Sequence, residues 1–223
     1  MIAYLFDLDG TLVRAGGAGA RALSTVFEQR HGVADACAGV RAHGRTDPAI
    51  VADMFTAALG RAASTVEIDD LITAYLDELE RELEARPTFR VLPDADEVLA
   101  WLRARPEVRL GVATGNVARG ARIKLDRARL AHHFEFGGYG CDSSVRAELV
   151  ACAARRSGAG VGDTVVVVGD TTLDVEAAKA NGALCVAVTT GGDSRATLEA
   201  AGADIVFDRL AELVPWHQAR FTS

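Results

Sequence analysis

The residues best equipped for chemistry fall at three places in the chain. Asp7 and Asp9 stand two apart in Asp-Leu-Asp-Gly-Thr, Thr114, Gly115 and Asn116 follow one another, and Gly169-Asp170 is followed by Asp174. Each group closes a short apolar run, the pattern of a strand buried on both faces with polar residues emerging at its carboxyl end. In a continuing strand Asp7 and Asp9 share a face, and Gly10 permits a sharp turn directly behind them. A lone strand-end aspartate is ordinarily a helix cap or a turn former. Acids from two strand ends at one edge of a sheet are different, because converging carboxylates repel by roughly 4 kcal/mol per close pair at an effective dielectric near 20. A hard divalent cation with oxygen ligands offsets that cost, and Mg2+, which keeps several waters and bridges carboxylates to a substrate phosphate, suits it best. In such a site one carboxylate can attack phosphorus and form an aspartyl phosphate, while a second protonates the leaving oxygen and later activates water.

The elements that must position these residues are legible as alternating patterns. Strand-like runs occupy Ile2 to Leu8, Val108 to Gly115, Thr164 to Asp170 and Leu184 to Gly192, with a shorter one from Ala203 to Phe207. Helical stretches lie between them at Asp94 to Arg103, Val117 to Leu130, Val145 to Arg156, and Asp174 to Asn181, the last stopping at Gly182. This alternation predicts βαβ units and an α/β fold built on a Rossmann-like parallel sheet. In such a sheet ligands bind in the crevice at the carboxyl ends of the strands, where the acids emerge. Residues from about Val13 to Arg86 break the alternation. Their clearest element is a helix after Ser64, with a Ser64–Glu67 capping box and a stripe of Ile68, Leu71, Ile72, Tyr75, Leu76, Leu79 and Leu83. Residues 1–13 and 88–223 therefore read as the α/β core and 14–87 as a helical insertion, hinged near Gly16, Gly17, Gly19 and Pro87.

Composition limits the function classes. The 223 residues are 49% hydrophobic and 25% charged, ordinary globular usage that excludes a disordered, collagenous or coiled-coil chain. No apolar run approaches the roughly 20 residues that span a bilayer, and two acids interrupt the N-terminal run where a secretory segment would continue. A cytoplasmic location is expected. With 31 acidic against 24 basic residues, the net charge of −7 argues against a nucleic-acid partner, whose phosphates would call for lysine and arginine. The same excess means that any small anionic substrate must be neutralised locally. Cys37, Cys141, Cys152 and Cys185 are scattered and read as reduced, mostly buried thiols.

Taken together, D-L-D-G-T-L-V, a strand ending A-T-G-N, and V-V-V-V-G-D-T-T-L-D followed by A-A-K-A-N-G-A resemble motifs one, two and four of the haloacid dehalogenase-like (HAD) hydrolase superfamily. The resemblance runs from Met1 to about Leu213, and the insertion resembles the helical cap of the phosphoglycolate-phosphatase-like members. It implies a HAD-like fold and a Mg2+-dependent phosphatase that acts on a small phosphorylated metabolite; a monomer or homodimer is expected, and charge and hydropathy leave neither nucleic acid nor membrane as partner. It also implies that Asp7 is the nucleophile and Asp9 the general acid and base, with the backbone carbonyl of Asp9 on the metal. Asp170 becomes a metal ligand, Asp174 touches the metal directly or through a ligand, and Thr114 hydrogen-bonds the phosphoryl group. Main-chain N–H groups near Leu8, Gly115 and Asn116 add to that cradle. The third motif departs from the pattern: where the superfamily carries a lysine this chain reads C-D-S-S-V-R-A-E-L, so either Arg146 or Lys124 supplies the cation. Within the superfamily a sugar phosphomutase or a dehalogenase is the alternative, and from another class a phosphorylatable signalling module.

Other features read more plainly. Gly17 to Ala22 imitates part of a dinucleotide fingerprint but lies well past the strand end, which suits a hinge. Gly44 to Asp47 either places Arg45 over the site as an anion contact or leaves it an exposed cation at a helix start. His132 and His133 have no ligand partner at useful spacing and read as structural, and Glu80, Glu82 and Glu84 as a solvated face.

Overall fold

The structure is a computed structural model and describes residues 1–221. The chain opens with β1 (Ile2–Phe6) and β2 (Val13–Arg14), passes through α1 (Ala18–His31), α2 (Asp47–Leu59) and α3 (Thr65–Ala85), and returns at β3 (Arg90–Val91). It then alternates: α4 (Ala95–Arg103), β4 (Val108–Thr114), α5 (Ala118–Ala128), β5 (Phe136–Tyr139), α6 (Arg146–Ser157), β6 (Thr164–Gly169), α7 (Thr172–Ala180), β7 (Leu184–Val188), α8 (Arg195–Ala201), β8 (Ile205–Phe207) and α9 (Leu213–Phe221). Six parallel strands form one sheet in the order β5-β4-β1-β6-β7-β8, so the predicted Rossmann-like α/β core is present.

Strand β1 lies between β4 and β6, in register Phe6 with Val112 and Phe6 with Val168. The three strands that deliver the chemical residues are therefore neighbours, and their carboxyl ends stop side by side. Side chains alternate across β1: Tyr4 and Phe6 join the core beneath α4, α5 and α9, while Leu5 joins the one beneath α6, α7 and α8. The fully apolar run of β1 follows from burial on both faces.

Three elements were not legible in advance. Strand β5 reads Phe-Gly-Gly-Tyr, and its two glycines carry none of the β-branched signal that marks a strand. Helices α1 and α2 hide in an Ala- and Gly-rich stretch, where tertiary burial of Leu23, Val26, Phe27, Ile50, Val51, Met54 and Phe55 decides the helix. Ser64 and Glu67 do form a capping box at the start of α3, and Leu71, Ile72, Tyr75, Leu76, Leu79 and Leu83 are its buried stripe. Helices α1 to α3 share a hydrophobic core of their own, to which the sheet side adds Val117. At its entrance Gly16 and Gly17 adopt positive φ and Ala18 already begins α1.

Two surface expectations need correction. Glu82 is not simply solvated, because Arg21 from α1 donates to it at 2.7 Å and its side chain is only 14% exposed. All four cysteines are free thiols, but only Cys185 is fully buried, and Cys141 is exposed because the turn after β5 lies on the surface. Among the described residues, no helix is long and apolar enough to cross a membrane.

Candidate active site

Asp7 lies just past the end of β1. Its N–H donates to the Val168 carbonyl at 2.9 Å, so the chain is still held in register when the carboxylate emerges, 5% exposed. Arg146, the first residue of α6, brings its guanidinium across the strand ends, with Nη2 3.0 Å from Asp7 Oδ1 and 2.5 Å from Asp174 Oδ1. The second oxygen of Asp174 accepts from the Thr171 N–H at 3.1 Å and hydroxyl at 2.7 Å, the capping box that starts α7. Asp170 closes β6. It accepts from the Thr11 hydroxyl and the Gly192 N–H, and His43 Nε2 lies 3.4 Å away. A Cβ at Gly10 or Gly191 would run into the Asp170 carboxylate, so the backbone on both sides of that acid has to be glycine.

A second group surrounds Asp9. Its Oδ2 accepts from Lys124 Nζ at 2.5 Å and Asn116 Nδ2 at 2.9 Å. The Asn116 amide also donates to the Thr114 hydroxyl at 2.9 Å and accepts from Lys124 at 2.7 Å. Lys124 sits two turns into α5, where the helical spacing of a residue eight after Asn116 returns it to the strand end, and it is 4% exposed. The structure thus brings both candidate cations to the site, Arg146 against Asp7 and Lys124 against Asp9.

The electrostatics follow from this arrangement. Burial and the carboxylates of Asp174, Asp170 and Asp9 push the Asp7 carboxyl upward, against the pull of Arg146. Asp170 is raised by burial and by Asp174, with the His43 hydrogen bond opposing. Asp9 behaves oppositely: although burial would raise it, Lys124 and the hydrogen bonds from Lys124 and Asn116 hold it below the ordinary carboxylate range. Asp7, Asp170 and Asp174 each offer an oxygen within 4.8 Å of the others, all three buried. That is an all-oxygen donor set whose excess negative charge Arg146 alone does not cancel, and it fits a hard divalent cation.

The loop between α1 and α2 reaches these strand ends from above. The Gly44 carbonyl accepts from Arg146 Nη1 at 3.1 Å. Asp47, to which the sequence assigns no role of its own, donates its N–H to the Gly115 carbonyl at 2.8 Å, and its carboxylate accepts from the Val117 N–H at 2.9 Å. Val117 is the N-cap of α5 and has no capping side chain of its own, so Asp47 caps a helix of the core from the insertion. Thr46-Asp47-Pro48 was readable as a helix start; which second helix that start faces was not. His43 was likewise missed and lines the cavity. Arg45 also lines it, yet its guanidinium is tied to Asp53 at 2.7 Å and is 40% exposed.

His132 and His133 do find a partner, since α4 brings Asp96 Oδ1 to 2.8 Å from His133 Nε2 and the three residues offer ligand atoms within 4.8 Å. His133 Nδ1 is buried with no partner among the described residues, so the ring proton belongs on Nε2, facing Asp96. An Nε2–H so engaged donates to Asp96 and bridges α4 to the turn before β5.

Above the acids opens a cavity of about 820 Å3, lined on the helical side by Leu23, Ile50 and Tyr75 and on the sheet side by Asp7, Asp9, Thr114, Gly115, Asn116, Lys124 and Arg146. A parallel sheet with a cavity at the strand ends, floored by acids and roofed by an inserted helical unit, defines an α/β enzyme of the Rossmann-like class. A family model describing haloacid dehalogenase-like hydrolases matches residues 2–182, and the chain belongs to that family. A phosphoglycolate phosphatase from Rhodospirillum rubrum is 34% identical over 221 residues, covering 96% of this chain and 90% of that one. Another, from Synechococcus elongatus, is 30% identical over 140 residues, 62% of this chain and 65% of that one. Among solved structures, a hydrolase from Pseudomonas syringae superposes over the whole of both chains with a TM-score of 0.74 at 23% identity, a likeness of fold.

Proposed function

We propose that this chain is a Mg2+-dependent phosphatase of small phosphomonoesters, phosphoglycolate-like or sugar phosphates, that works through an aspartyl phosphate on Asp7. The observation that carries the reading is the convergence of Asp7, Asp170 and Asp174 on the floor of a cavity that also presents Asp9, Thr114, Lys124 and Arg146. The naming of two relatives as phosphoglycolate phosphatases supports the substrate class. Asp7, Asp170, Asp174 and the main-chain carbonyl of Asp9 would hold Mg2+, which supplies the positive charge that draws a phosphate dianion into an acidic site.

Arg146 opposes the burial that pushes the Asp7 carboxyl up to about 7, and so favours the carboxylate that acts as nucleophile toward phosphorus. Thr114 and the main-chain N–H groups of Leu8, Gly115 and Asn116 orient the phosphoryl oxygens. Asp9 is ionised while Lys124 and Asn116 hold it, the form that activates water to hydrolyse the phosphoaspartate. The arriving dianion competes for Lys124. With that ammonium drawn toward the phosphoryl oxygens, Asp9, partly open to solvent, takes up from it the proton that it then gives to the leaving oxygen. Helices α1 to α3 act as a cap that excludes water during the first step.

Turnover of p-nitrophenyl phosphate with Mg2+ tests this reading. Multiple turnover that Asp7→Asn and EDTA each abolish is expected. Retained activity in either case overturns it, and a single phosphate incorporated without release points to a signalling module instead.

A further inference from the structure

Strands β2 and β3 form a two-residue antiparallel ladder at the junction of the helical unit and the core, and in it Arg14 stands directly opposite Arg90. Opposed residues of an antiparallel pair project to the same face with Cβ atoms roughly 5 Å apart, and like charges there destabilise the pairing. The usual remedy is a carboxylate between them. Among the described residues neither arginine has one: Arg14 donates only to the Thr190 carbonyl, at 2.5 Å, and Arg90 makes no ion pair or side-chain hydrogen bond. The other junction arginines are accounted for, since Arg21 and Arg86 both reach Glu82.

Both arginines line the same cavity as Asp7 and Lys124. Arg14 is also tied to the acidic site through one residue, because Thr190, whose carbonyl it holds, donates its hydroxyl to the Gly10 carbonyl at 2.7 Å, beside Asp9. In a chain carrying a net charge of −7, two exposed arginines without a carboxylate partner, both lining the cavity, are a local reversal of sign. The cavity, at about 820 Å3, has room well beyond a phosphate.

We propose that Arg14 and Arg90 form an anion subsite that takes a second negatively charged group, carboxylate or phosphate, on the leaving-group half of the substrate. Paired guanidinium forks suit either oxyanion, and that anion would supply the counter-charge the ladder lacks. The inference rests on the phosphomonoesterase reading for the identity of the first anion, but its test does not depend on turnover.

The test is calorimetric titration, with Mg2+ in excess, of phosphonoacetate, 3-phosphonopropionate and 4-phosphonobutyrate against alkylphosphonates of the same length. A parallel series of alkane bisphosphonates distinguishes carboxylate from phosphate as the preferred second anion. Wild type should bind at least one doubly anionic ligand about tenfold more tightly than its uncharged-tail counterpart, and Arg14→Ala/Arg90→Ala should lose that preference. An equal affinity for charged and uncharged tails at every length, or a preference that survives in the double variant, overturns the proposal. Retained alkylphosphonate binding shows that the variant is folded. Absence of p-nitrophenyl phosphate turnover would refute the hydrolase reading while leaving this comparison intact.

Discussion

Replacing Asp47 by Asn tests the account of how the helical unit is joined to the core. Asp47 is 6% exposed, accepts one hydrogen bond from the Val117 N–H and stands at the amino ends of both α2 and α5. Two helix dipoles favour a negative charge there, yet burial dominates, and with Asp9 it pushes the carboxyl from 3.8 up to about 6 against the opposing pull of Lys124 and the Val117 bond. A rise of that size corresponds to about 3 kcal/mol. Its sign is that of a penalty at neutral pH: the unfolded chain releases the proton near pH 4 and the folded one near 6, so wild type loses stability as pH rises through that window and stays level above it. Asn keeps an acceptor for Val117 and has nothing to ionise. In denaturant unfolding the margin of Asp47→Asn over wild type should therefore grow by about 3 kcal/mol between about pH 3 and pH 7, or by several degrees at about 2–4 °C per kcal/mol in a thermal scan. A margin that stays flat or shrinks over that range would mean that Asp47 ionises freely beside Lys124, and the reasoning fails.

Lys124→Met removes the ammonium that holds Asp9 ionised and should cost more than about tenfold, or 1.4 kcal/mol, in kcat/KM. It should also move the acidic limb of the pH–rate profile upward, because Asp9 then loses its proton at a higher pH, and an unmoved limb would count against the pairing. Gly191→Ala puts a methyl group into the Asp170 carboxylate and should raise the Mg2+ concentration needed for half-maximal turnover by about tenfold or more, read by metal titration. Ser64→Ala breaks the capping box of α3 at a residue that does not line the cavity, and should cost about 1 kcal/mol in unfolding with turnover of p-nitrophenyl phosphate unchanged.

The amino-acid sequence by itself determined the parallel α/β core and which of its ends carries the chemistry. Strands buried on both faces are continuous apolar runs, and Asp7, Asp9, Thr114, Asn116 and Asp170 stand where those runs stop, so local pattern and local position say the same thing. The capping box and apolar stripe of α3 were legible for the same reason, being contacts between residues three and four apart. Helices α1 and α2 and the glycine strand β5 were not, since burial against distant segments, rather than propensity, makes them form. Tertiary structure alone decided what each acid touches. The sequence left Arg146 and Lys124 as alternatives; the fold brings both to the strand ends, because α6 starts beside Asp7 while α5, two turns along, returns Lys124 to Asp9. Asp47, His43 and the facing pair Arg14 and Arg90 owe their positions to contacts spanning 70 or more residues, and no spacing along the chain encodes which strand end a loop will meet.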